Sequence, residues 1–353
     1  MRLMQSKGIK KMKVFHGLVN YGTQAGLFAK ALREMGIESL SVTYPDPFKR
    51  QIDIELLHGG NIIQKIIKHS WNYIRRFYWF FKFNIFHFYY GTSLFPKQFD
   101  LPLYKFFGKK VLMEYLGYDV QLYQYSIEKY KITNVSHYYL PEISILSDKK
   151  KLNRLKFERK FLNKQIVCAP YISEFVPGSI VLPLAIDLRE FKYHPAKIPI
   201  NKVLILHAPT NRGNKGTEYI IDAIQRLINE NYQLELILAE NLTHDELKLK
   251  YVECDIFIDQ LLSGWYGTAA IEAMAIGRPT IAFIRESYKQ YIDYGEDIPI
   301  INANPESIYE VLIKIMHEKQ LLPEIGRKSR EFVEKIHDLR KVTTKIIELY
   351  KSL

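Results

Sequence analysis

GWYGTAAIEAMAIGRPTIAF, residues 264–283, is the stretch on which the fold turns. It follows an apolar run, DIFIDQL, that reads as a strand, and it opens on a glycine-bearing turn. TAAIEAMAI then reads as a helix, Gly277 ends that helix, and Pro279 starts the next strand. Unpaired amides near Gly267 and Thr268, with the helix dipole behind them, favour a bound anion such as a diphosphate. Glu272 sits about one turn further in. A carboxylate there can accept hydrogen bonds from both hydroxyls of a ribose. An ordinary strand–turn–helix with a surface glutamate would carry the same pattern.

Upstream, HAPTNRGNKGTEY (207–219) also joins a strand to a helix. The strand is KVLILHAP. The helix, GTEYIIDAIQRLINE, begins near Thr217 and sets Tyr219, Ile220, Ala223, Ile224 and Leu227 on one face. Arg212 and Lys215 lie on the Gly-rich loop between them. A flexible loop lets both cations converge on phosphates, Arg as a fork and Lys as a point charge. A solvated basic turn is the plainer alternative. GNKGT lacks the glycine spacing and the Lys-Ser/Thr pair of a Walker A loop, and no G-x-G-x-x-G follows a strand. QLELILAE is a further strand, THDELKLKYVE a helix, and PESIYEVLIKIMHEK and the segment from Pro323 to Leu353 are helical.

The same alternation runs through the first half, the pattern of parallel α/β sheets. MKVFHGLV is a strand, NYGTQAG a turn and LFAKALREMGI a helix that stops at Gly36. ESLSVTY, ended by PDP, and then NIFHFYY, KKVLMEY and QIVCA are strands, and SDKKKLNRLKFERKFLNK is a basic helix. YHPAKIPINK carries two prolines and few core residues and marks the domain boundary. The expected division is therefore 1–195 and 196–335, with a helix over 336–353 that packs back on the first domain. Two open sheets in tandem imply a cleft at the carboxyl ends of their strands.

Composition narrows the classes. With 47% hydrophobic and 25% charged residues the chain is globular. Cys168 and Cys254 each fall in an apolar run and read as buried free thiols, which suits a reducing compartment. The basic start, MRLMQSKGIKKMK, lacks the apolar stretch of a signal peptide, and no run is long and apolar enough to span a bilayer. The net charge of +12 is uneven: residues 1–190 hold 29 Lys+Arg against 15 Asp+Glu, and the remainder 21 against 23. An anionic surface or phosphate-bearing partner would meet the first half.

At the two donor-type segments the chain resembles the large retaining glycosyltransferase family with the two-domain GT-B fold, the fourth family in the usual sugar-transferase classification. EAMAIGRPTIAF resembles that family's glutamate-bearing donor motif, and NRGNKGTEYIIDAI its lysine-glycine phosphate loop. NIFHFYYGTSLFP, DLPLYKFFGKKVLMEYLGYDV and APYISEFVPGSIVLPLAIDL resemble the acceptor domains of bacterial members. The resemblance implies metal-independent transfer from a nucleotide sugar to a glycan or lipid-linked acceptor, with retained configuration, in surface polysaccharide or glycolipid synthesis. It implies that Glu272 contacts ribose and that Lys215, with Arg212, holds the diphosphate. Two positions depart. The family often has a second glutamate eight positions before the first, where this chain has Gly264. It often has a His-Gly-x-Asp turn, where Leu116 replaces the histidine and Asp119 remains. Asp119 and Asp259 are the nearest carboxylates that could compensate, and both also suit turns or caps.

NIIQKIIKHSWNYIRRFYWFFKF (61–83) has no acidic residue. On a helix, Ile62, Ile63, Ile66, Ile67, Ile74, Phe77, Tyr78 and Phe81 share a face, Lys65, Lys68, Arg75 and Arg76 line the other, and Trp71 and Trp79 lie toward the margins. That composition suits either an interfacial helix on an anionic membrane or a helix packed on its sheet with a solvated basic face. Single-stranded nucleic acid is disfavoured, since one helix is not a groove-lining sheet. His16, Asn20, Tyr21 and Gly22 mark the first strand–helix turn, where an acceptor could be met or a turn simply made. The ten histidines show no zinc spacing, and no cofactor or metal is expected. The expected place is the cytoplasm, or the inner face of the cell membrane. A non-catalytic nucleotide-sugar-binding subunit and a sugar-nucleotide epimerase on the same fold are the rival readings.

Overall fold

The computed structural model describes residues 12–46, 50–137, 141–292, 294–295 and 297–353. The basic start of the chain lies outside the described residues through Lys11, as does Pro47 of the PDP stop. The elements run β1 (Lys13–Leu18), α1 (Gln24–Glu34), β2 (Glu38–Thr43), β3 (Ile54–Glu55), α2 (Ile62–Lys82), β4 (Ile85–Tyr89), α3 (Leu101–Phe106), β5 (Lys110–Tyr115), α4 (Tyr123–Lys129), α5 (Pro141–Glu158), β6 (Lys164–Val167) and β7 (Ile180–Val181). They continue β8 (Val203–His207), α6 (Arg212–Lys215), α7 (Thr217–Asn229), β9 (Leu234–Leu238), α8 (His244–Glu253), β10 (Ile256–Ile258), α9 (Thr268–Ile276), β11 (Thr280–Ala282), β12 (Ile300–Asn302), α10 (Ile308–His317), α11 (Leu322–Ile336) and α12 (Leu339–Lys351).

The chain folds into two compact units. The first takes the described residues through Gln121 together with Lys150–Ala185 and Leu339–Leu353, and the second takes Leu122–Lys149 and Ile186–Asp338. The chain crosses between units at 185/186 and 338/339, where the divisions expected from sequence are 195/196 and 335/336. The placing of 122–149 in the second unit has no counterpart in that reading.

The first sheet has the order β3-β2-β1-β4-β5-β6-β7, and every pair is parallel. Its central strands are buried on both faces, as a sheet covered on both sides requires, and are mostly apolar apart from His16, His87 and Glu114. On one face Val14, Ile85, Leu112 and Ile166 pack with α1 and α12, whose Val342 and Ile346 are fully buried. On the other face the Phe15, Phe86 and Phe88 rings cluster with centroids 5.7–6.2 Å apart, Phe86 stacked on Phe88 and Phe15 tilted or edge-on to both.

α2 covers that aromatic face, and it does so the other way round from a simple amphipathic reading. Asn61 and Gln64 close a capping box at its start. Trp79 and Phe80 point inward, 5.6 Å from the Phe15 ring and 5.0 Å from Tyr104. Arg76 is buried with them, its guanidinium over the Tyr44 and Tyr73 rings. Arg76 and Trp79 thus leave the solvated basic face and the margin expected of them, because a bed of Phe rings is best filled by large rings and a cation over rings. Lys82 does have a carboxylate, Glu38, at 3.1 Å. The stripe of Ile62, Ile63, Ile66, Ile67, Ile74, Phe77, Tyr78 and Phe81 is turned outward, each more than half exposed.

The second sheet has the order β12-β11-β10-β8-β9, again all parallel. Ile205, Ile220, Ile224, Leu227, Ile256 and Ile281 form its core. The strand order reverses between β8 and β10. In an open α/β sheet the crevice at such a reversal, beyond the carboxyl ends of the strands, is where ligands bind.

Candidate functional site

Of the residues singled out in the second unit, Lys215, Asp259 and Gly267 come together at that reversal, while Arg212 and Glu272 are partnered elsewhere. β8 ends on His207 and leads into α6. Asn211 caps α6 by accepting from the Asn214 amide at 2.9 Å. Gly216 then turns the chain into α7. The segment is thus a capped helical turn and not the flexible loop expected, and this sends its two cations different ways. Arg212 points to the exposed carboxylates, with Nε and Nη2 each donating to Glu240 at 2.8 Å and Nη1 donating to Glu218 at 3.2 Å. Lys215 turns inward. Its Nζ donates to Asp259 Oδ1 at 2.5 Å, and its carbonyl accepts from the Leu261 amide at 3.0 Å.

Asp259 follows β10 directly and is buried. Its second oxygen accepts from the Gly267 amide at 2.7 Å. The Lys215 ammonium and the amide of Gly267, which caps the start of α9, therefore each engage one oxygen of Asp259. Thr268, the first residue of α9, is half-buried beside this point.

Gly264 explains itself. Its φ is +77°, and a Cβ there would lie 2.8 Å from the Tyr288 ring and 3.3 Å from the Arg285 side chain. No carboxylate fits at this position without moving Tyr288. Arg285 itself lies with its guanidinium 3.7 Å over the Tyr130 ring and donates to the Ile132 carbonyl at 2.5 Å. Asn134 donates to Ser263 at 3.0 Å. The turn before α9 is thus braced by Tyr130, Ile132 and Asn134, from the part of 122–149 that sequence gave no reason to place here.

Glu272 lies where expected, about one turn into α9, but buried and already partnered. His244 meets its Oε1 at 2.8 Å, and the Tyr251 hydroxyl donates to its Oε2 at 3.2 Å. His207, which the sequence reading passed over, is fully buried. Its Nδ1 donates to the Ile258 carbonyl at 2.8 Å, which leaves Nε2 to accept from the Thr217 hydroxyl at 2.8 Å. Burial lowers its pKa to about 4, so it is neutral and fixes the start of α7 against the end of β10. The visible signal was a histidine closing an apolar strand, a weak one.

In the first unit, Leu116 and Gly117 amides donate to Asp119 Oδ1 at 3.0 Å each, closing the LGYD turn. Asp119 Oδ2 is buried without a hydrogen-bond partner. Burial raises its pKa to about 6, against the pull of Arg154. Arg154 donates to the Asp119 carbonyl at 2.5 Å and stands 3.3 Å from Glu158. His16 is not on the first turn but inside β1, fully buried, with Nδ1 2.8 Å from the Tyr89 hydroxyl. Burial, followed by His87, holds its pKa well below the ordinary imidazole value. Its place opposite His87 in the next strand puts it in the core. Asn20 is buried in the turn, donating to the Gln51 carbonyl at 3.0 Å. Gly22 takes φ +50° there, and Tyr21 is exposed. Cys168 and Cys254 are free and buried.

No family model matches the chain. A curated relative, "Putative glycosyltransferase 45" of Sulfolobus islandicus filamentous virus (isolate Iceland/Hveragerdi), is 24% identical over 140 residues, 35% of this chain and 40% of that protein. Solved structures match over nearly the whole length. Sucrose-phosphate synthase from Thermosynechococcus elongatus superposes with a TM-score of 0.65 at 15% identity, over 97% of this chain and 99% of that one. Anabaena HepE in complex with UDP-glucose gives 0.62 at 12%, over 97% and 100%. A Listeria monocytogenes protein named "putative UDP-N-acetylglucosamine 2-epimerase" gives 0.53 at 13%, over 97% and 96%. At these identities the likeness is one of fold, and the fold is the α/β GT-B architecture expected from sequence.

Proposed function

We propose that this chain is a glycosyltransferase of the retaining, metal-independent kind, with a nucleotide-sugar donor bound by its second unit. One observation carries the reading: the inward-turned Lys215 ammonium is held by Asp259 at the reversal of the second sheet, beside the N-terminus of α9, while the single Gly267 amide hydrogen is taken up by Asp259. Asp259 uses one of the three ammonium hydrogens. The others stay available to a diphosphate, while Asp259 keeps the ammonium from swinging away. As the bond to the sugar breaks, charge grows on the diphosphate. A preorganised cation and a helix N-terminus stabilise that charge more in the transition state than in the ground state. Asp259 is then a positioning residue. Glu272 keeps unused lone pairs beside His244 and Tyr251, and these would receive the ribose hydroxyls. Arg212 reaches a phosphate only by exchanging Glu240 for it.

The acceptor side belongs to the first unit in this reading. Asp119 is buried with its unpaired oxygen shut from solvent and a pKa of about 6, so in this reading it shapes the LGYD turn and touches an acceptor hydroxyl only if that turn opens. Tyr21 on the first turn supplies an exposed ring for a sugar face. A glycan or lipid-linked acceptor in surface polysaccharide or glycolipid synthesis fits best, and a nucleotide-sugar donor suits a cytoplasmic location.

A second reading, a nucleotide-sugar-binding subunit without turnover, is favoured by Gly264, where the packing leaves no room for a carboxylate. A thermal-shift screen with UDP-, GDP- and ADP-sugars tests the site, because a ligand that binds only the folded state raises its melting temperature. Failure of every donor to stabilise the protein removes the donor site. Donor hydrolysis then separates the readings. Released nucleotide and free sugar mark a transferase, tight binding without release marks the subunit, and an isomerised donor marks an epimerase.

A further inference from the structure

We infer that the outward stripe of α2, with the aromatic residues of α3 beside it, docks the first unit on a lipid bilayer carrying anionic headgroups. The inference stands apart from sugar transfer, since nothing in it involves the second unit.

The outward exposures run from 52% at Trp71 to 77% at Ile62. The patch does not stop at α2. The Phe81 ring lies 6.1 Å from Phe107, and Phe107 lies 5.1 Å from Phe106, which is 81% exposed. Phe77 lies 4.8 Å from Phe95, and Phe95 lies 5.3 Å from the exposed Phe99. Single exposed apolar residues are ordinary; a contiguous run over two elements marks an interaction site. Among the described residues, no helix is long and apolar enough to cross a membrane. The stripe is therefore suited to lying along an interface.

Charge selects the partner. From Leu56 to Phe99 there is no Asp or Glu, while Lys65, Lys68, Arg75, Arg76, Lys82 and Lys97 are present. Arg76 is buried, and Lys82 has Glu38. Lys68, Arg75 and Lys82 are seven residues apart, so at about 100° per residue they follow one edge of the stripe. The Lys68 ammonium donates to the His58 and Gly59 carbonyls at 2.9 and 3.2 Å and is thereby held at that edge. Lys97 and Lys105 are exposed next to Phe99 and Phe106 in the chain. An apolar strip edged by cations, with Glu38 beside Lys82 as the carboxylate at that edge, matches acyl chains beneath anionic headgroups.

Sedimentation with vesicles of phosphatidylcholine, with and without phosphatidylglycerol, tests this. Binding is expected to the anionic vesicles, much less to phosphatidylcholine alone, and to fall with salt. Replacing Lys68 and Arg75 by Gln should weaken it about twenty-five-fold, at roughly fivefold per basic residue. Ile67→Glu with Phe81→Glu, both at exposed positions, should keep the melting temperature and abolish sedimentation. Tryptophan emission gives a separate readout. Trp79 and Trp265 are buried, so a blue shift on adding vesicles reports Trp71 and disappears in Trp71→Phe. The inference is overturned if wild type fails to bind anionic vesicles at low salt or if the Glu double variant binds equally. A dimer that the same variant turns into monomer, without vesicle binding, would also overturn it by making the stripe an interface between copies.

Discussion

Lys215 cannot be removed without stranding Asp259. The pair is largely buried, so Lys215→Ala leaves a carboxylate with the Gly267 amide as its remaining partner, and a loss of about 2–4 kcal/mol of stability is expected. Low activity of that variant alone would mean little. Lys215→Met combined with Asp259→Asn should regain most of the stability, measured by urea unfolding, while turnover stays low. Recovery of turnover with stability would remove Lys215 from the chemistry. Asp119 gives a test of opposite sign. Its folded pKa, about 6, stands above that of a free carboxylate, so the folded state holds the proton longer. Its contribution is complete below about pH 4 and is lost as pH rises toward 6, by about 2–3 kcal/mol at 1.36 kcal/mol per unit. Asparagine keeps the oxygen that receives the Leu116 and Gly117 amides. Asp119→Asn should therefore raise the urea midpoint at pH 7.5 and lose that advantage at pH 4. A midpoint shift that does not vary with pH would mean the buried oxygen is not titrating.

The elements were legible wherever punctuation and period agreed. α9 spans the residues read as TAAIEAMAI, because Gly267 and Gly277 frame an apolar run that no strand period fits. At Gly277, φ +97° ends the helix, and a Cβ would press into the Tyr193 ring at 2.5 Å. The direction of α2 was not legible. Both of its faces carry aromatics, and the packed one is decided by the Phe15, Phe86 and Phe88 bed, which comes from two other strands. Nor could Arg212 be placed, since Glu240 is distant in the chain and meets it through folding. The turn before α9 was legible as a turn, but its braces Tyr130, Ile132, Asn134 and Arg285 lie far off in sequence. This turn makes a definite prediction. Restoring the second glutamate of the resembled family by Gly264→Glu should cost at least about 2 kcal/mol, from the left-handed backbone and the Tyr288 ring together, and should not raise turnover. A stable, faster variant would show that the turn relaxes freely.

At the scale of the molecule, the first unit depends on α12, which follows the second unit in sequence. α12 buries Leu339, Val342, Ile346, Ile347 and Tyr350 in its core, and the Tyr350 hydroxyl pairs with His87 Nδ1 at 2.8 Å. Losing one such buried aliphatic costs about 2–5 kcal/mol, and a domain has about 5–15 kcal/mol in all. Deleting 339–353 should therefore unfold the first unit and leave the second. Hydrogen exchange checks this: β1, β4 and β5 should lose protection while β8, β10 and β11 keep it. Retained protection in β1 would mean that the helix is dispensable. The same feature sets an order on the chain's birth. Strands β1, β4 and β5 are made before the second unit, yet the helix that covers one of their apolar faces is made after it, roughly 150 residues later. At about 5–20 residues per second that is some 8–30 s, during which the face of Val14, Phe28 and Leu112 that α12 covers stays open to water.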